Sequence, residues 1–366
     1  MAAIGLAAVG GIATQAPARA SSSVWYQVYQ ASKVSGGFNQ IAALSKRDIW
    51  AVGYATTSTG KISYTPFIRH FNGSTWQKIV IPGASGFTTN WVTASASNNV
   101  WVGGLRNTSD ATTVIYRWNG ARWARVPLPA MTSLGGIVAL AQNNVWAYGD
   151  SGTAAYDVFH WDGTRWHYYM SNDTRFVPQG ISASAANNVW LSGYGFSGSK
   201  DVVAAYKWNG RAWHPVSTPH PAFYCCDTVT AVSPSNVWIG YASGNNDFAL
   251  HWNGKAWRAI TGSYYANTLD IVPDGKGGYW FGAMTRLDGS TWTDETVPGF
   301  TGSFGGVTRI PGTTSFLIAA SVLTGKPATQ RPTLFRFDLL RQSPPSGTSG
   351  AAEHPGSATA GRTRPA

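Results

Sequence analysis

NNVWVGGLRNTSDATTVIYRWNGARW, residues 98–123, decides the fold. Its two halves both recur along the chain. The first, N-N-V-W, ends at Trp101 and again at Trp146 and Trp190; S-N-V-W ends at Trp238, R-D-I-W at Trp50 and G-G-Y-W at Trp280. The second, W-N-G-A-R-W (118–123), returns as F-N-G-S-T-W (71–76), W-D-G-T-R-W (161–166), W-N-G-R-A-W (208–213), W-N-G-K-A-W (252–257) and L-D-G-S-T-W (287–292). Asn-Gly or Asp-Gly between alternating apolar runs predicts a tight hairpin in which both turn residues take positive φ. A period in this range signals a repeat architecture rather than a string of unrelated domains.

Upstream of each first motif lies a short run of small and β-branched residues: IAALS (41–45), VTASAS (92–97), IVALA (137–141), ISASA (181–185), VTAVS (229–233), LDIVP (269–273) and VTRIP (307–311). Small side chains suit an innermost strand that crowds a central axis. Each unit then has four strands, and the inner strands count seven units. The last unit lacks its outer strand, which VWYQVYQ (24–30) supplies from the other end of the chain, with Trp25 in the place of Trp76. The fold class is therefore all-β: a seven-bladed β-propeller with four-stranded blades, spanning 24–338 and closed by one N-terminal and three C-terminal strands.

Composition agrees. Charged residues make up 12% of the chain, and only two of its sixteen acids, Glu295 and Glu353, are glutamates, which leaves few helix formers. Residues 1–20 form a short apolar stretch ending in Ala18-Arg19-Ala20, a cleavage pattern of a signal peptide, although no basic residue precedes it. A secreted, extracellular protein is expected. No later stretch predicts membrane insertion. The Pro/Ser/Gly/Ala-rich tail, 342–366, is expected to be disordered.

The W-x-V-G and W-N/D-G-x-x-W patterns resemble the tryptophan-rich propeller repeats of secreted bacterial proteins, kelch-like or galactose-oxidase-like in organisation. They are also similar to tectonin and tachylectin-type lectins. The resemblance covers 24–338 and implies the fold; for activity it implies little, because propellers host many functions.

Seventeen of the eighteen tryptophans recur at fixed positions, and packing of blade on blade is the economical reading for them. The exception is Trp91. In a propeller the loop entering each inner strand shares a face with the loop joining the second and third strands, and here these are the long, variable ones. Binding residues favour such loops on a rigid frame. The candidate ligand residues are Trp91, Tyr224, Asp227, Tyr264, Tyr265, Asn267 and Phe304, placed around the mouth of that face. The expected ligand is carbohydrate or a cell-envelope polymer, taken by a monomer. The alternatives are a glycan-active enzyme (hydrolase, lyase or oxidase) and a protein-interaction scaffold.

F-Y-C-C-D (223–227) holds both cysteines and reads as the loop entering the fifth inner strand. His220, Cys225, Cys226 and Asp227 match no common metal spacing, so no metal is expected. In an oxidising compartment a Cys225–Cys226 disulfide is the available intramolecular bridge; free or intermolecular thiols are the alternative. No paired catalytic carboxylates emerge from spacing, and neither catalytic residues nor a cofactor are assigned. The net charge is +11. Arg122, Arg125, Arg165, Arg211, Lys255 and Arg258 fall on hairpins and outer strands, one or two per blade, where a band attracting anionic cell-wall polymers is the alternative to a protective role. Such edge charges oppose aggregation, and without a basic–aromatic groove they do not predict nucleic-acid binding.

Overall fold

The computed structural model describes residues 24–339 apart from 60, 85, 107–111, 129–132, 151–155, 171–175, 220–224, 244–245, 262–269 and 283–284. The leader 1–20 and the tail 342–366 lie outside the described residues. The strands form seven antiparallel sheets of four, and no helix occurs among the described residues. Blades 1 to 6 run from inner to outer strand in chain order, over residues 35–79, 87–126, 133–170, 176–216, 225–261 and 271–294. Blade 7 takes three strands from 302–338 and its outer strand from 24–30. Trp25 lies opposite Phe337 in that sheet, as Trp76 lies opposite Phe71 in blade 1.

The repeated tryptophans join neighbouring blades in one direction. Trp101 of blade 2 packs on Trp161 and Trp166 of blade 3, with ring centroids 5.6 and 5.9 Å away. Trp146 meets Trp208 and Trp213 of blade 4 at 4.9 and 5.3 Å. Trp190 meets Trp252 and Trp257 of blade 5 at 5.9 and 5.8 Å. Trp280 meets Trp25 and Phe337 of blade 7 at 6.1 and 4.4 Å. Blade 7 carries Leu317 in the register position of Trp50, and it packs with Phe71 and Trp76 of blade 1. All six second-strand tryptophans are buried, and large rings filling the wedge between twisted sheets supply much of the apolar burial.

The motif's Asn has a structural task. The Trp101 indole N–H donates to Asn99 Oδ1 at 3.0 Å, and Trp190 does the same to Asn188 at 3.0 Å. Trp238 bonds Asn236 at 2.9 Å and Trp50 bonds Asp48 at 2.8 Å. Blade 6 has Gly278 at that position, the Trp280 indole N–H has no partner, and Asp274 serves Arg286 instead. Its carboxylate accepts from Arg286 at 2.8 Å and from the backbone N–H of Lys276 and Gly278. A Cβ at Gly278 would stand 2.5 Å from Asp274 Oδ2, so the swap is sterically linked.

The Asn-Gly hairpins differ from the two-residue turn expected. The loop of blade 1 spans the four residues 72–75, and Asn72 Oδ1 accepts the N–H of Ser74 and Thr75, both at 3.0 Å. Only its glycine is left-handed: φ is 98° at Gly73 and 94° at Gly120, the equivalent in blade 2. The Asn side chain caps the turn, so a second positive φ is not required. The long segments 53–66 and 193–203, expected as loops, instead extend the second and third strands as two-stranded hairpins.

Small inner-strand residues do more than fit. The Ala139 N–H donates to Thr93 Oγ1 of the preceding blade at 3.1 Å, and Ala231 N–H donates to Ser182 Oγ at 3.0 Å. Thr230 Oγ1 donates to the Ile271 carbonyl of the next blade at 2.6 Å. An inner strand is a sheet edge with unpaired backbone groups. These hydroxyls satisfy part of it across the blade junctions.

Candidate functional site

The mouth of the ring is shaped by a bulge that recurs in the inner strands. Pairing with the second strand skips Asn39, Asn90, Gly135 and Gln179 in blades 1 to 4. In blade 5 it skips Cys226 and Asp227, and in blade 7 Gly305 and Gly306. The cysteine pair therefore lies within the inner strand, Cys225–Ser233, with Cys225 opposite Ala242, and not in the loop that enters it. A bulge bends the strand and re-aims the residues around it. The side chains of Cys225, Cys226 and Asp227 lie outside the described residues, as do Tyr224, Tyr264, Tyr265 and Asn267 altogether.

Two candidate ligand residues are fully described. Trp91 sits one step past the bulge, opposite Gly103, at the register position of Gln40 and Gly136. So it does occupy a repeat position, one that holds Gln40 in blade 1, Thr228 in blade 5 and glycine in blades 3, 4 and 7. Its half-buried ring packs on the core around Trp101 and Leu134, and a Cβ at Gly103 would touch it at 3.5 Å. Phe304 stacks on Phe300 at 3.9 Å, beside Val297 and Phe335. The structure places the two rings in separate clusters, each engaged in packing.

Sequence reasoning passed over Asp270, at the start of the sixth inner strand. Its Oδ2 accepts the Val307 N–H of blade 7 at 2.8 Å, and its carbonyl accepts from Gly282. Desolvation pushes its carboxyl up to about 7, against the smaller opposing effect of the Val307 bond. The signal was LDIVP itself, an acid where other inner strands carry Gly, Gln, Thr or, in blade 2, Trp91.

Most other described acids are committed. Asp48 bonds His70 at 2.9 Å, and Asp338 bonds Arg336 at 2.8 Å. Burial raises the Asp274 carboxyl, but Arg286 and two backbone N–H groups more than offset that and hold it low. His70 and His251 stack on the repeat tryptophans Trp50 and Trp238, each at 4.2 Å, and His160 packs tilted on Trp146 at 4.5 Å. Desolvation lowers the pKa of both His160 and His251. Among the described residues no three His, Cys, Asp or Glu side chains converge as a metal site.

The long-loop face does hold a concave surface, on blade 4. There the second and third strands run past the sheet as a hairpin to Ser197 and Lys200, turning at Gly198 with φ 63°. A groove of about 430 Å³ lies between this hairpin and the chain leaving the outer strand. Phe176, Phe196 and Tyr206 line it together with Ser197, Ser217 and Thr218, and none of its lining residues is charged. Phe196 is 52% exposed, an unusual state for that residue, and is held edge-on by Tyr194 at 5.9 Å. The sequence signal was the pair of aromatics in GYGF (193–196), which the loop reading hid.

No family model matches the sequence, and no curated protein is significantly similar to it. Solved structures share its architecture. YCF48 bound to a D1 peptide superposes with a TM-score of 0.56 at 16% identity, covering 89% of this chain and 99% of that one. YCF48 from Cyanidioschyzon merolae gives 0.55 at 15%, covering 86% and 98%. The β-propeller domain of the trilobed protease from Pyrococcus furiosus gives 0.54 at 9%, covering 81% and 97%. At these identities the likeness concerns the fold: this chain is a seven-bladed β-propeller with four-stranded blades, its ring closed by the N-terminal strand.

Proposed function

We propose that this protein is a secreted binding propeller that takes an uncharged carbohydrate, such as a neutral cell-envelope glycan, on its long-loop face. The observation that carries the reading is the blade 4 groove, where the exposed ring of Phe196 and the half-buried Tyr206 lie with Ser197, Ser217 and Thr218 and charge is missing from the lining. A pyranose presents apolar C–H faces and a rim of hydroxyls, which such a surface matches. A charged polymer would leave its ions without partners there. Phe196 is the platform; Trp91 and the residues near the mouth extend the same face.

A glycan array probed with the intact protein and with Phe196→Ala tests this. Binding to neutral glycans that falls about tenfold or more in the variant supports the assignment. Binding indifferent to Phe196 moves the site elsewhere, and no glycan binding removes the carbohydrate reading. Peptides belong on the same array, because a propeller of this fold has been solved with one bound. Turnover of a bound glycan would make the protein an enzyme.

Export and the Cys225–Cys226 bridge belong to the same proposal, and one intact-mass measurement on secreted protein reads both. Cleavage after Ala20 and a mass lower by the pair of hydrogens lost on oxidation are expected; two free thiols would refute the bridge.

A further inference from the structure

A second groove, of about 500 Å³, opens on the opposite side of the ring between blades 1 and 2. Trp50, His70, Trp118 and Trp123 line it, with Lys78 and Arg122 among the residues at its edge. The molecule shows what fits such a place. Between blades 3 and 4 the equivalent residues are Trp146, His160, Trp208 and Trp213, and there Tyr169 inserts its ring. It lies 5.1 Å from Trp146, 5.6 Å from His160 and 5.1 Å from Trp208, edge-on to each.

The difference comes from one residue. In blade 1 the outer strand pairs Gln77 with His70 and Ile79 with Ile68, leaving only Lys78 between them. In blade 3 it pairs His167 with His160 and Met170 with Val158, leaving both Tyr168 and Tyr169. The extra residue makes a bulge, and its ring, still 43% exposed, covers the groove. Blade 1 has no such residue, so its groove stays open.

We propose that the groove between blades 1 and 2 docks an aromatic side chain, tyrosine or phenylalanine, from an acidic segment of a partner protein. The ring takes the place that Tyr169 takes in blades 3 and 4. Acidic neighbours suit the exposed Lys78 and Arg122, whereas the one lining carboxylate, Asp48, is already held by the Trp50 indole at 2.8 Å and His70 at 2.9 Å. Residues 1–23 and 341–366 contain no Phe, Tyr or Trp, so these two segments do not supply the ring. Aromatic anchors in pockets rimmed by complementary charge are a common way for interfaces to gain affinity and specificity.

The test uses a capped pentapeptide with tyrosine flanked by glutamates, titrated while the indole N–H signals of Trp50, Trp118 and Trp123 are followed by NMR. The tyrosine peptide is expected to shift them and its alanine counterpart not to. Replacing the flanking glutamates by lysines should weaken binding about tenfold. Inserting a tyrosine between Lys78 and Ile79, to copy blade 3, should abolish the response. Because that insertion can disturb folding, the double variant Lys78→Glu, Arg122→Glu provides a second reading: it should reverse the preference between the two flanks. Signals that stay still, respond equally to the alanine peptide, ignore the charge reversal, or respond instead to methyl glycosides would overturn the proposal. It stands apart from the blade 4 groove, so Phe196→Ala should leave the peptide response intact.

Discussion

Asp270 shows how one side chain can set a pH dependence for the whole ring. Its carboxyl titrates at about 7 in the folded protein and near 4 in an unfolded chain. Between these values the folded state holds the extra proton, so stability falls as pH rises from about 4 to about 7 and stays lower above. Asp270→Asn keeps an oxygen for the Val307 N–H and removes the charge. The variant should match the parent near pH 4 and exceed it near pH 8, on the order of 2 kcal/mol given partial water access. Urea unfolding at the two pH values checks this; equal stability at both would refute the shift. Tryptophan behaves differently. The buried indole N–H groups of Trp161, Trp166, Trp213, Trp252 and Trp257 have no hydrogen-bond partner. These rings are present for their shape, which is why recurrence alone identified them as packing residues.

At the scale of the strand, the sequence was read well where chemistry repeats and poorly where geometry does. Val-Trp beside Asn-Gly located the second strand and the outer hairpin because each residue type has a local reason to be there. The inner-strand bulge has no fixed residue: Asn39, Asn90, Gly135 and Gln179 share a position, and only the first two agree in type. Cys225 to Asp227 consequently read as loop, although they continue a strand. The groove beside Phe196 was hidden likewise, since GYGFSGSK has the composition of a loop and the pairing of a hairpin. The inter-blade hydroxyls offer a direct test of the edge argument. Ser182→Ala leaves the Ala231 N–H without its partner at a blade junction. It should cost about 1 kcal/mol and speed amide exchange at Ala231. Unchanged protection there would mean that water serves the edge equally well.

For the whole molecule, closure rests on a single short strand. Residues 24–30 complete blade 7 and bring in Trp25, which touches Trp280 and Phe337 and donates its indole N–H to the Glu295 carbonyl at 2.9 Å. Deleting the chain through Gln30 should lower Tm by about 10 °C or more and broaden the transition, since several kcal/mol of packing would be lost. Calorimetry on the truncated protein decides; an unchanged, sharp transition would mean that the ring holds without its clasp. The one-way order of the tryptophan contacts carries a further consequence. Each blade presents a knob on one flank and a matching socket on the other, so the junction is heterologous, and only circular closure uses up the last knob and the last socket. A ring sprung open would expose one of each on the same molecule. Such molecules can add head to tail without limit, so the clasp that completes the fold also stands between a closed ring and a growing filament.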